Sequence, residues 1–372
     1  MLQALLSIIF ISGLFAPVFA KDEYFYLSST GFLISIDIDR VSETGQVAAG
    51  QLPIDITTCG GHIYYTDLGT DQIYDYDPLS KSLNKAKIDE VPSIEEIELR
   101  TIIDDTPRKP PIVAVFEKIH KAKPKPPTID ESKEPLEISF HNKRLGLSKV
   151  VCSDQYLFVV STLKSRVDVL KRDTLTRVAT LNVGERPAGL AINPSGSLLA
   201  VSSIGLNTVY IIKADTFSFD KIAETVVGTA PSELVWIDDD TLYALNRGDG
   251  SISILSGAGV SKRDIKLGGS PNVLLADTKN SKIYALDGNA HKLFMISAAD
   301  QSFQEKEISE DLKYPSFMTL AGNDELLVGS EKDGRLVVLD LVSFEPRQKI
   351  QTNLPPRAIV KITSDESQIV SR

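Results

Sequence analysis

A proline followed by two residues and an apolar run returns along this chain about every forty residues. The prolines are Pro53, Pro187, Pro231, Pro271, Pro315 and Pro356, with Gly146 read into the same slot, so the intervals are 93, 41, 44, 40, 44 and 41 residues. Self-similarity at a fixed period in this range marks a chain of stacked or radial units rather than one layered core. It constrains shape far more than chemistry.

The copy from Arg186 to Gly228 shows what each unit holds. Short β-rich runs at Leu190–Ile192, Leu198–Ser203, Thr208–Ile212 and Ala223–Val227 are separated by turn residues such as Asn193-Pro194-Ser195-Gly196 and Gly205-Leu206-Asn207. Four such runs per forty residues, bounded by Gly, Asn, Asp and Pro, predict four short strands. The third run is the easiest to follow: residues 31–36, 71–76, 166–170, 208–212, 250–254, 292–296 and 334–339 give seven copies. No helical periodicity competes. The expected fold class is all-β: a seven-bladed β-propeller of four-stranded antiparallel blades. Residues 21–50 supply three strands of a blade and lack its first; the segment from Pro356 supplies a first strand, Ala358–Ile362. Pairing the two ends closes the ring and removes the open sheet edge. Gln368-Ile369-Val370 remains, as a further edge pairing or a tail.

The tandem pattern resembles the YVTN-type, surface-layer-like seven-bladed propellers. The segments that carry the resemblance are residues 183–196, Gly228-Thr229-Ala230-Pro231 and Gly269-Ser270-Pro271; Tyr64-Tyr65-Thr66-Asp67 is the nearest copy of the signature itself. The resemblance covers nearly all of 21–372 apart from one insertion. It implies fold strongly and function weakly, because the wider group holds lactonases, amine-dehydrogenase propeller subunits, haem d1 domains and proteins without known activity. With one tryptophan, Trp236, the chain lacks the repeated tryptophan motifs of WD and quinoprotein propellers.

Residues 1–20 form an apolar stretch ending Ala16-Pro17-Val18-Phe19-Ala20, which resembles a signal peptide cut before Lys21, although no Lys or Arg precedes it. Cleavage implies a secreted or periplasmic protein that is not integral to a membrane; a retained anchor is the alternative. A formal net charge of −10 argues against nucleic acid and acidic membranes as partners. The expected state is a monomeric ring that meets another protein or a cell-envelope component. Cys59 and Cys152 lie six residues after Pro53 and Gly146, at one repeat position in adjacent blades. An exported chain favours a disulfide between them; two separate buried thiols are the other reading.

The 93-residue interval contains one repeat and an insertion, residues 89–142, sorted by charge. Its centre carries Arg108, Lys109, Lys118, Lys121, Lys123 and Lys125 among six prolines. Lys123-Pro124-Lys125-Pro126-Pro127 reads as a stiff, polyproline-like stretch. Arg108, Lys109, Lys121, Lys123 and Lys125 could dock an acidic partner; the alternative is a loop whose charge blocks pair among themselves.

Catalytic motifs are sparse. The four histidines (His62, His120, His141 and His291) have no metal-ligand spacing, and neither a Cys-x-x-Cys-His nor a phosphate-binding glycine loop occurs. No catalytic residue, metal or cofactor is assigned. The connections entering first strands and those between second and third strands should share one face. That candidate ligand or partner face carries Asp67, Arg186, Arg247, Asp249, Asp287, His291, Tyr314 and Arg357. Asp55 and Glu233 share a repeat position inside first strands of nearly opposite blades, where paired carboxylates could perform acid–base work or hold a cation. Turn chemistry alone would also enrich Asp and Asn in these loops. Two functions follow: a noncatalytic binding or scaffold propeller, or an extracytoplasmic enzyme or enzyme subunit of lactonase or amine-dehydrogenase type.

Overall fold

The computed structural model describes residues 22–88, 145–215, 219–308, 312–322 and 324–362. The leader, the insertion with its basic residues (Arg108, Lys109, Lys121, Lys123, Lys125), and Gln368-Ile369-Val370 lie outside them. The described strands form seven four-stranded antiparallel sheets, six built from consecutive strands and one from both ends of the chain. This is a seven-bladed β-propeller. In the composite blade the strand Pro356–Ile362 pairs with Glu23–Ser28, from Glu23 opposite Ile362 to Leu27 opposite Ala358. No helix among the described residues is long and apolar enough to cross a membrane.

Position within the blade explains the residue pattern of each strand. Second and third strands have a neighbouring blade on both sheet faces, so they read as unbroken apolar runs: Tyr156–Ser161 is buried along its whole length. Fourth strands lie at the rim and are mostly polar, as in Ser42–Ala48 and the fully exposed Phe303–Glu307. The core is correspondingly divided. Seven apolar clusters are present, each at the seam between two adjacent blades. Trp236 belongs to the seam between blades 4 and 5, where its indole N–H donates to Ala191 O at 3.3 Å, and Met318 to that between blades 6 and 7.

Register corrects the repeat alignment at one point. Pro53 faces Asp67, Pro187 faces Ser203 and Pro231 faces Asn246 across first and second strands; in blade 3 the residue in this slot is Leu147, facing Ser161, and not Gly146. A register shift follows the slot in all four blades. Gly146 instead adopts φ +65° in the turn that enters the blade.

The residues that flank the insertion belong to the ring. Ile88 and Leu145 are both buried in the seam between blades 2 and 3. Asp71 accepts hydrogen bonds from the backbone N–H groups of Leu145 and Gly146 at 3.2 and 3.1 Å. We expect a chain lacking residues 92–142 to melt cooperatively, monitored by circular dichroism; a broad, non-cooperative melt would show that the ring needs the insertion. Removing residues 356–372 should in contrast abolish the cooperative transition, because it takes away a first strand and its seam contacts.

Candidate functional site

The crossover face, formed by the loops entering each blade and those joining second to third strands, separates its charged residues into two groups. The first group ties loops together. Asp67 accepts the N–H groups of Gln51 at 2.5 Å, Leu52 at 3.3 Å and Thr70 at 3.0 Å. Asp249 takes Thr229 N–H at 3.0 Å with Ser251, and Asp287 takes Ser270 N–H at 2.7 Å with Asn289 and Ala290. Burial works to raise the Asp249 carboxyl, but the Ser251 hydroxyl and these N–H groups outweigh it and hold it below the usual range. Arg357 is engaged too: its guanidinium makes two hydrogen bonds to Glu331, at 3.2 and 2.9 Å, and one to Pro53 O at 3.3 Å, joining blades 7, 1 and 2. His291 Nε2 lies 2.5 Å from Lys313 O.

The second group faces solvent. Arg186 and Arg247 are exposed on the loops of blades 4 and 5. Leu163 and Leu206 are 63% and 47% exposed on the second-to-third loops of blades 3 and 4. Tyr314 is also exposed, with the Lys332 ammonium 3.6 Å above its ring, a cation–π pair.

In the channel the expected carboxylate pair is bridged by a residue that repeat counting missed. Asp55 and Glu233 both stand two residues after the proline slot, facing Thr66 and Leu245. Counted from Leu147, the same slot in blade 3 belongs to Lys149. Its ammonium lies 2.9 Å from Glu233 Oε1 and 3.6 Å from Asp55 Oδ1. Blade 4, between blades 3 and 5, fills the slot with Gly189, where a Cβ would come within 2.9 Å of Ser232 O. Asp55 also accepts Val150 N–H at 2.9 Å, across the seam between blades 2 and 3. Burial works to lower the Lys149 pKa, but Asp55 and Glu233 outweigh it and the net shift is upward. Burial raises Glu233, and Lys149 opposes that only in part. The side chains are 30%, 19% and 24% exposed for Lys149, Asp55 and Glu233, so water reaches all three.

The two cysteines lie at the other end of the inner strands, on the face of the hairpin turns. They are free thiols and not a bonded pair. Nor do they hold one repeat position. Cys59 faces His62, whereas Cys152 faces Leu157 and therefore matches Thr58. That single-residue offset brings the sulfurs together. Successive side chains on a strand point to opposite sheet faces, so identical positions in adjacent blades would point the same way around the ring. Offset by one, Cys59 and Cys152 enter the same seam between blades 2 and 3.

No family model and no curated protein matches the chain. Solved structures do, at low identity. One is a functionally unknown protein from Desulfotomaculum acetoxidans DSM 771, with TM-score 0.65, 13% identity, and coverage of 91% of this chain and 98% of that one. Virginiamycin B lyase from Staphylococcus aureus gives TM-score 0.58 at 11% identity over 84% and 86% of the two chains. The dihydro-heme d1 dehydrogenase NirN gives 0.57 at 12% identity over 94% and 76%. These similarities concern the fold.

The channel bridge leads to a measurable outcome. Lys149→Met leaves two carboxylates without their cation and should cost about 1–3 kcal/mol at pH 7, measured by denaturant unfolding. Glu233 holds its proton more tightly folded than unfolded, so its ionisation subtracts stability as pH rises above the ordinary glutamate range. The Lys149→Met penalty should therefore shrink toward pH 4, and adding Glu233→Gln should recover part of it at pH 7. A penalty independent of pH would mean that packing, not charge, holds the bridge.

Proposed function

We propose that this chain is a noncatalytic, extracytoplasmic propeller of the YVTN-type repeat kind that binds a protein or cell-envelope partner through its crossover face. One observation carries the reading: on that face the carboxylates of Asp67, Asp249 and Asp287 are taken up by backbone N–H groups, whereas Arg186, Arg247, Leu163 and Leu206 project into solvent on blades 3 to 5. Exposed arginines beside isolated apolar side chains suit a partner that presents carboxylates around a small apolar patch, since Arg recognises carboxylates in a bidentate manner.

A catalytic reading has one observation in its favour. Glu233, raised by burial and standing in a water-accessible channel beside Lys149, has the character of a general acid. The two readings separate experimentally. The double variant Arg186→Glu/Arg247→Glu should keep its melting temperature yet lose a partner retained by the wild-type chain in affinity capture from its native compartment. Retention of the same partner by the double variant would overturn the binding reading. Abolition of a turnover by Glu233→Gln, with Lys149→Gln alike, would establish the catalytic one.

A further inference from the structure

The thiol pair has surroundings that a passive core residue would not need. Cys59 ends the first strand of blade 2 (Pro53–Cys59) and is followed by the two-residue turn Gly60-Gly61, with φ +58° and +78°. Both values lie in the left-handed region that favours glycine, as a tight two-residue hairpin turn of type I′ requires. Arg172, which follows the third strand of blade 3, lays its guanidinium over this turn: a Cβ on Gly60 would meet it at 3.4 Å. Its Nη1 donates to Cys59 Sγ at 3.4 Å and to Ser153 O at 3.4 Å, while its own N–H is held by Gln155 O at 2.9 Å.

The two thiols also reach across the seam. Cys152 Sγ donates to Thr58 O at 3.2 Å on the opposite strand, and Cys59 Sγ is 3.4 Å from Ser153 O. Cys152 is buried and Cys59 is partly exposed, and both line a cavity of about 460 Å³ together with Ser153, Tyr156, Asn193 and Asp215. Space of that size suits a small ligand. The residues therefore divide the work: one cysteine is partly exposed and paired with a cation, the other is buried.

We propose that Cys59 and Cys152 are a redox-active dithiol, in which Cys59 attacks small-molecule disulfides entering the cavity and Cys152 resolves the product into a bond that staples blade 2 to blade 3. The Cys59 thiolate attacks one sulfur of RSSR, forms Cys59–S–SR and releases RS⁻, which takes up a proton. Cys152 then loses its proton and attacks the Cys59 sulfur; the Cys59–Cys152 bond forms and the second RS⁻ leaves. The chain gives up two hydrogens and RSSR becomes two RSH. The neighbouring Cys152, followed by Arg172, holds the Cys59 thiol below its ordinary range against the opposing effect of burial. The same contact and its own burial hold Cys152 above that range. This is the asymmetry that an attacking and a resolving thiol require.

The full chain, incubated in glutathione buffers of graded oxidised-to-reduced ratio, quenched with N-ethylmaleimide and mapped by nonreducing peptide mass spectrometry, tests the proposal. Wild type should pass reversibly between dithiol and Cys59–Cys152 disulfide. Cys152→Ser should accumulate one glutathione on Cys59, whereas Cys59→Ser should take none on Cys152. Arg172→Gln should slow capture at pH 7 about three- to tenfold, the range expected when a thiolate loses its cation. Melting curves establish that each variant is folded. Thiols that react only after urea is added would overturn the proposal. A bond that persists in excess reduced glutathione until the chain unfolds would overturn it too, leaving a static staple.

Discussion

Packing on both faces of every blade is the constraint from which the rest follows. A four-stranded sheet that buries apolar side chains on both sides cannot satisfy itself; it needs a neighbour on each side, and only a closed ring supplies one to every blade. Residues of even and odd position along a strand therefore serve different seams. Val151 and Cys152 are adjacent in sequence, yet the first packs toward blade 4 and the second toward blade 2. Dispersion and burial within the seams hold the ring together, and the polar groups are arranged around that requirement.

The same parity separates what the sequence reveals from what it conceals. Unbroken runs such as Tyr156–Ser161 and Thr208–Lys213 report burial on two faces, and their recurrence made the blade count readable. The ends were readable as well, because Ala358–Ile362 is a first strand lacking its blade and residues 21–50 are a blade lacking its first strand. Lys149 was hidden by a shift of one residue. Counting from Gly146 displaces blade 3 by one position, and whether the proline slot falls to Gly146 or Leu147 depends on a backbone register that composition does not encode. The cysteines illustrate the converse: an apparent equality of position suggested that they meet, whereas it is their inequality that lets them meet.

Aspartate in the loops was ambiguous for a related reason. A carboxylate that binds a partner and one that caps backbone N–H groups occupy the same kind of turn. Asp67, Asp71, Asp249 and Asp333 each tie the loop entering a blade, whether their own or the next. This leaves the solvent-facing character of the crossover face to side chains with weaker sequence signatures, among them Arg186, Leu163 and Leu206.

The seam at blade 1 has a consequence for how the molecule comes into being. Glu23 pairs with Ile362, 339 residues further along the chain, so the closing sheet is the most non-local strand pairing among the described residues. Loop-closure entropy must be met before that pairing contributes, which places it late and makes it slow. During synthesis from the N-terminus, the edge of Glu23–Ser28 waits unpaired until Pro356–Ile362 has emerged. The newly made chain is thus an incomplete arc with one adhesive strand exposed, vulnerable to a wrong partner until its own closing strand arrives.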